Sequence, residues 1–174
     1  LGMSHLGFKI VYDALNAVEG VACERAFTPE PELEARLKDE GLALTSLESG
    51  WALKDFDVLG ISLPHEMAAT NVLTLLDLGG LSLKAVDRGE DEPIVLAGGP
   101  AAFSCEPLAP FLDVILLGDG EEAAGELALA IGRARRAGKA RAEILDSLKA
   151  IPGVYLPAYY EPQYDDSSAL KAME

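Results

Sequence analysis

Apolar and polar positions along this chain repeat with two periods, and the switches between them mark out the elements. Leu6, Ile10, Val11, Leu15 and Val18 recur at helical spacing, so 4–18 reads as a helix, with Ser4 as its N-cap and Gly20 as its stop. The stretch 21–27 reads as a short strand leading through Pro29 into a helix over 31–40. That helix has acidic residues in its first turn and Gly41 just past its end, as the helix dipole and C-cap preferences favour. A short strand over 42–47 follows, with Ser49-Gly50 as a turn. The run 57–62 is apolar between polar ends, the pattern of a strand buried on both faces. Pro64 breaks it, and 66–78 is a helix with apolar residues at 72, 73, 75, 76 and 78, ended by Gly79-Gly80. The charged run 87–92 reads as a solvated loop. Buried strands are expected at 93–97 and 113–117, and helices from the 118–122 turn to about Ala137 and over 142–150. A last extended segment spans 154–160.

Alternation of buried strands with amphipathic helices implies a parallel sheet covered on both faces. The fold class expected is therefore α/β, three-layered and doubly wound, with a mostly parallel sheet of the flavodoxin-like kind. A doubly wound domain normally begins with a central strand, whereas this chain opens on a helix. The first strand is thus expected to be missing, its place taken by the tail 154–160 or by exchange within a homodimer. The domain is placed at 1–160, with 161–174 as a tail.

Composition narrows the function. The 174 residues suit one domain, and 49% hydrophobic with 25% charged residues is ordinary for a globular protein. No apolar run reaches the roughly 18 residues of a membrane span, and no basic-then-apolar leader opens the chain, so the cytoplasm is the compartment expected. With 29 acidic against 14 basic residues the net charge is −15, which disfavours nucleic acid as a partner. That charge serves solubility, or forms an acidic face that meets a basic partner. Cys23 and Cys105 stand far apart and read as buried or half-buried thiols, so no disulfide framework or metal centre is expected.

Open parallel sheets bind ligands beyond the carboxyl ends of their strands. The segments 2–7, 62–66, 98–101 and 118–122 should gather there. The candidate binding residues are Gly2, Ser4, His5, Gly7, Ser62, Leu63, Gly98, Gly99, Pro100, Gly118, Gly120 and Glu121. Bare glycine backbone at 98–99 would let a flat ligand lie close, and Gly118 and Gly120 flank Asp119 just before a helix whose N–H groups point outward. Each glycine also reads as a simple turn. His5 and His65 fall on the same edge, as hydrogen-bonded structural residues or as ligands. Neither the G-x-G-x-x-G fingerprint nor the lysine-bearing phosphate loop is present. No nucleophile is paired with a base, so no catalytic residue is expected and the chain reads as a binding module.

The segments Gly-Met-Ser-His-Leu-Gly (2–7), Ser-Leu-Glu-Ser (46–49), Ile-Val-Leu-Ala-Gly-Gly-Pro (94–100), Asp-Val-Ile-Leu-Leu-Gly-Asp-Gly-Glu-Glu (113–122) and Ile-Pro-Gly-Val-Tyr (151–155) resemble, in this order, the N-terminal cobalamin-binding-like domain of radical SAM proteins. The resemblance implies a cobalamin held at the sheet edge by an accessory domain, and a C-terminal radical SAM domain as its partner in the same protein. That partner would carry the iron–sulfur cluster and S-adenosylmethionine, for which this chain lacks the C-x-x-x-C-x-x-C motif. The D-x-H-x-x-G motif that ligates cobalt is also absent: Met3 stands two before His5 and Phe8 three after. Two readings stay open. In one the domain retains a corrinoid; in the other it is a cofactor-free docking domain packed on the barrel. A flavodoxin-like redox carrier is a weaker third, because the phosphate loop that FMN requires is missing.

Overall fold

The structure, a computed structural model, describes residues 5–167 and 170–173. Its centre is a four-stranded sheet in the order β1 (Val58–Ser62), β2 (Ile94–Gly98), β3 (Val114–Leu116) and β4 (Val154–Tyr155). β1, β2 and β3 are parallel, and β4 runs antiparallel to β3. The fold is therefore α/β with a mostly parallel sheet.

Alternation along each strand sends side chains to two faces. On one face Val95, Ala97 and Ile115 join Val72 and Leu76 of α3 (Ala69–Leu78), together with Leu53, Leu63, Leu81 and Leu112. On the other, Ile94, Leu96, Val114 and Leu116 meet Leu127 and Ile131 of α4 (Gly120–Arg136) and Ile144 and Leu148 of α5 (Arg141–Leu148). Side chains of this size stabilise by roughly 1.5–3 kcal/mol each when fully buried, so the two clusters supply most of the driving force. Helix α4 starts at the carboxyl end of β3 with Glu121 and Glu122 in its first turn, and reaches the amino edge with Arg133, Arg135 and Arg136 in its last.

Helix α1 (Leu6–Asn16) lies on the same face as α4 and runs alongside it. A Cβ on Gly120 would meet Val11, and one on Gly125 would meet Val18 at 3.1 Å, so the two helices point the same way and Gly125 lets them approach. Helix α2 (Pro31–Glu40) forms as its pattern predicts: proline in the first turn, Glu32 and Glu34 beside it, and Gly41 closing the end at φ 64°.

Several expectations are corrected. Ser4 lies outside the described residues, and the N-cap is His5, whose Nδ1 accepts the Phe8 N–H at 3.2 Å. Helix α1 stops at Asn16 because that side chain turns to Cys23, accepting its N–H and donating to its carbonyl. The stretch 21–27 forms no strand, and 42–47 contributes only the bridge Thr45–Ala52, because neither has a neighbouring strand to complete a ladder. The 66–78 helix begins as a 3-10 turn, Glu66–Ala68. β1 is not buried on both faces: Gly60 and Ser62 are exposed.

The charged run 87–92 is a solvated loop only in part: Asp87, Gly89, Glu90 and Asp91 are exposed, but Arg88 is not. Arg88 is buried, and its Nη1 donates to Asp113 Oδ2 at 2.8 Å, where Arg141 Nη2 also donates at 2.7 Å. Finally, 154–155 pairs with β3, so the tail adds to the edge opposite β1 rather than beside it. Beyond it, β5 (Pro162–Tyr164) and β6 (Leu170–Met173) form a separate two-stranded hairpin within the segment read as a tail.

Candidate functional site

Three parallel strands ending together create one carboxyl edge, and the chain puts a turn at each end. Residues 62–66 follow β1, 98–101 follow β2 and 118–122 lead from β3 into α4. Because α1 runs with α4, its first residues, His5 to Gly7, start at the same edge. Of the sequence-predicted site residues, Gly2 and Ser4 lie outside the described residues. His5 and Gly7 are exposed at the head of α1, and His5 spends its Nδ1 on the helix cap. Ser62, Pro100, Gly118 and Glu121 are exposed, Gly98, Gly99 and Gly120 half-buried, and Leu63 buried. His65 is exposed on the turn after β1.

Register decides which of these share a face. Ser62 is level with Gly98, and Gly98 with Leu116, so all three point to the α1–α4 side. Gly60, two residues before Ser62 and level with Leu96, lies on the same side, and a Cβ there would meet nothing within 4 Å. Gly120 abuts Leu116 and Val11 from above. The result is a strip of small residues, Gly60, Ser62, Gly98 and Gly120, along the top of one sheet face. Gly60 escaped sequence reasoning; its signal was the two-residue spacing from Ser62 within one strand.

Gly99 has a different job. Its φ is +114°, and a Cβ would lie 2.8 Å from the Leu63 carbonyl oxygen. The same carbonyl accepts Ala101 N–H at 3.0 Å, and Leu63 N–H donates to Gly98 O at 2.8 Å. The glycine at 99 is therefore accounted for by the 98–101 turn closing onto the end of β1. Gly118, at φ +110°, has open space where a Cβ would be.

The rim is apolar where water would favour polar groups. Leu6 is 70% exposed, Met67 86% and Phe103 72%, one from each of three segments that begin or follow elements at this edge. Acidic groups stand among them: Glu66, Glu106, Asp119, Glu121 and Glu122. Tyr155 on β4 has its hydroxyl pKa pushed up to about 12, by burial first and then by a hydrogen bond to Glu106. Neither thiol is activated. Burial raises the pKa of Cys105, with Glu106 adding to it, and burial followed by Glu48 and Glu24 raises that of Cys23. Among the described residues no His, Cys, Asp and Glu side chains group as a metal site, and no helix is long and apolar enough to cross a membrane.

A second polar assembly ties the first third of the chain together. Glu48 accepts Arg25 Nε at 2.6 Å and Arg25 N–H at 2.7 Å, while Tyr12 donates to it at 3.3 Å and stacks beneath the guanidinium. Ser49 donates to Glu24 at 2.6 Å. The 46–49 segment thus fastens α1 and 21–27 to the body of the domain, a structural use that nothing in its sequence announces.

Comparison with known proteins gives one match. The family described as radical SAM proteins, N-terminal, fits residues 7–157, most of the chain. No curated protein and no solved structure matches it.

Proposed function

The chain belongs to the N-terminal family of radical SAM proteins, and from that premise we propose that it is an accessory domain whose carboxyl edge holds a corrinoid against the radical SAM domain of the same protein. The domain itself is then doubly wound and cobalamin-binding-like. The observation that carries the reading is the strip Gly60, Ser62, Gly98 and Gly120, small residues from two strands and a helix on one face beneath α1 and α4. Such a strip presents backbone to a flat or elongated group without side chains in the way. When bound, a corrinoid would supply methyl transfer or radical rearrangement chemistry. The residues here would hold and orient it: Ser62 offers a hydroxyl, and Leu6, Met67 and Phe103 exclude water around the rim. His5 spends its Nδ1 on the helix cap, which leaves Nε2 as the ring nitrogen turned toward a ligand.

The test uses the intact protein incubated with hydroxocobalamin and passed through gel filtration. Retained visible absorbance at about one equivalent is expected. Gly98→Val should abolish it with the fold intact, because a Cβ at 98 meets only ordinary contacts, 3.6 Å from Leu116 O. Absence of retained absorbance in the unsubstituted protein would overturn the corrinoid reading.

A second reading, a cofactor-free docking domain, is favoured by Gly99, whose missing side chain serves the chain's own packing, and by the exposed apolar rim. Under it, Met67→Asp and Phe103→Asp would separate the two domains in limited proteolysis while corrinoid has no effect.

A further inference from the structure

The cations of this chain are not spread evenly. Five of its 14 lysines and arginines fall within 133–141, at and just past the end of α4. Two of the five turn inward: Arg135 donates to the Glu90 and Glu92 carbonyls, and Arg141 to Asp113. Arg133, Arg136 and Lys139 are exposed, and among the described residues none of them has a hydrogen-bond or ion-pair partner. Acids lie close, yet each is engaged: Glu90 accepts the Arg141 N–H, Glu143 the Ala140 N–H, and Asp57 stands 3.7 Å from Arg135 Nε. Elsewhere Arg25, Arg36, Lys38 and Lys149 each sit on a carboxylate. A basic last turn offsets the helix dipole, but Lys139 lies past the helix, and the dipole has no use for what stands beside it.

That neighbour is a pair of aromatic rings. Arg136 lies across Gly132, where a Cβ would be 3.4 Å from its Nη1, and both residues line a cavity of about 120 Å³ with Phe56. The Phe56 ring is 6.3 Å from that of Trp51, the chain's single tryptophan, which is 61% exposed. The turn that carries Trp51 is firmly tied. Ser46 N–H donates to Trp51 O at 2.9 Å, Trp51 N–H donates to Ser46 Oγ at 3.2 Å, and Gly50 takes φ +74°. An exposed indole held this way needs little further ordering when something stacks on it. Lys54, between the two rings in sequence, is exposed and also without a partner among the described residues. Glu19 and Asp55 are the exposed acids beside this strip, so its cations outnumber them.

Unpaired cations beside an exposed aromatic face are the two parts of a single-strand binding surface: the cations track phosphates, and the rings stack bases of any sequence. We infer that the amino edge of this domain binds single-stranded nucleic acid, its phosphates on Arg133, Arg136 and Lys139 and a base stacked on Trp51. Arg133 and Arg136 stand one helical turn apart, as neighbours on the α4 surface. Their guanidinium forks match phosphate oxygens, and Lys139 adds a point charge beside them. The net charge of −15 opposes approach from afar. Salt screens that field beyond about 8 Å at physiological ionic strength, so the local patch decides at contact. The surface lies at the opposite end of the strands from the proposed corrinoid edge, and does not depend on it.

The test titrates the intact protein, without added cobalamin, into fluorescein-labelled oligo(U) and oligo(dT) and follows polarization. Dissociation constants on the order of 1–100 µM are expected in about 50 mM salt. Three phosphate contacts on a single strand give a logarithmic salt slope of about −2, a loss of roughly twentyfold by about 200 mM. Arg133→Gln, Arg136→Gln and Lys139→Gln together should weaken binding at least about tenfold and flatten that slope. Trp51→Ala should weaken it by roughly tenfold and abolish the quenching of protein fluorescence that the oligonucleotide causes. These side chains are exposed and the three cations hold nothing, so the fold is not at stake. Binding of either oligonucleotide supports the proposal, and the tighter one names the source as RNA or DNA. No binding at low salt, or binding indifferent to these substitutions, overturns it. Labelled polyglutamate that binds as tightly assigns the patch to an acidic protein and overturns the ligand proposed.

Discussion

Asp113 sits at the foot of β3 with one oxygen, Oδ2, accepting from Arg88, Arg141 and the Val95 N–H, all at 2.7–2.8 Å. Arg88 spends its other donors on the carbonyls of Ser82, Leu83 and Phe111, whereas Arg141 donates from Nη1 and Nη2 to those of Glu92 and Pro93 and leaves its Nε buried without a partner. Burial pushes the Arg88 pKa down and Asp113 opposes it. A pair this dry contributes little net energy when intact, but removing one partner strands a buried charge. Asp113→Asn strands two, so a loss of about 3–5 kcal/mol is expected in urea unfolding; a loss under about 1 kcal/mol would mean the cluster is wetter than its geometry. Nothing at residue 88 signals this in the sequence. An arginine amid Asp87, Glu90, Asp91 and Glu92 reads as surface, because its partner lies 25 residues away. By contrast, Gly41 and Gly80 act within their own helices' ends, and could be placed by local rules alone.

At the level of elements, helices were legible where their stripe met a core. α2, α3, α4 and α5 carry their own period, the first three are followed by the positive-φ glycines Gly41, Gly80 and Gly138, and all four fall within about three residues of expectation. Strand identity is a property of pairs, so β2 and β3 were readable as buried runs while 21–27 and 42–47 were not strands at all. The small strip of the candidate site was half legible: Ser62 and Gly98 stood at strand ends, but placing Gly60 with them required the register. Helix α1 has little buried surface to hold it, so the Tyr12–Arg25–Glu48 contacts matter more than their exposure suggests. Glu48→Gln should leave sheet amides protected while protease cleavage within 20–27 rises several-fold. Unchanged cleavage would show that packing on α4 alone suffices.

For the whole molecule, the net charge of −15 conceals carboxylates that folding favours in their ionised form. Burial pushes the Glu92 carboxyl up, but the N–H groups of Ser82 and Gly89, the Ser82 hydroxyl and Arg88 outweigh it and hold it below its ordinary value. Hydrogen bonds from Ser46 and Ser49 lower Glu24, and the Arg25 contacts lower Glu48 against burial. A carboxyl with a depressed folded pKa contributes stability above its unfolded value of about 4.3, and that contribution is lost as pH falls through the folded value. Stability should therefore decline below about pH 4. Glu92→Gln should cost most near pH 7, with the gap to the natural protein narrowing toward pH 3 in urea titrations. A gap constant with pH would remove Glu92 from the account.

The first turn of α4 has one more consequence. A helix start offers roughly half a positive charge to whatever approaches it, yet here Glu121 and Glu122 occupy that turn and Asp119 precedes it. Two to three full negative charges overwhelm the half. A phosphate group would be repelled from the very spot where backbone geometry could cradle it. Whatever docks over the mouth of this sheet must therefore bring uncharged or cationic chemistry to the Gly118 side, and a cationic partner's grip should weaken as salt screens the acidic turn.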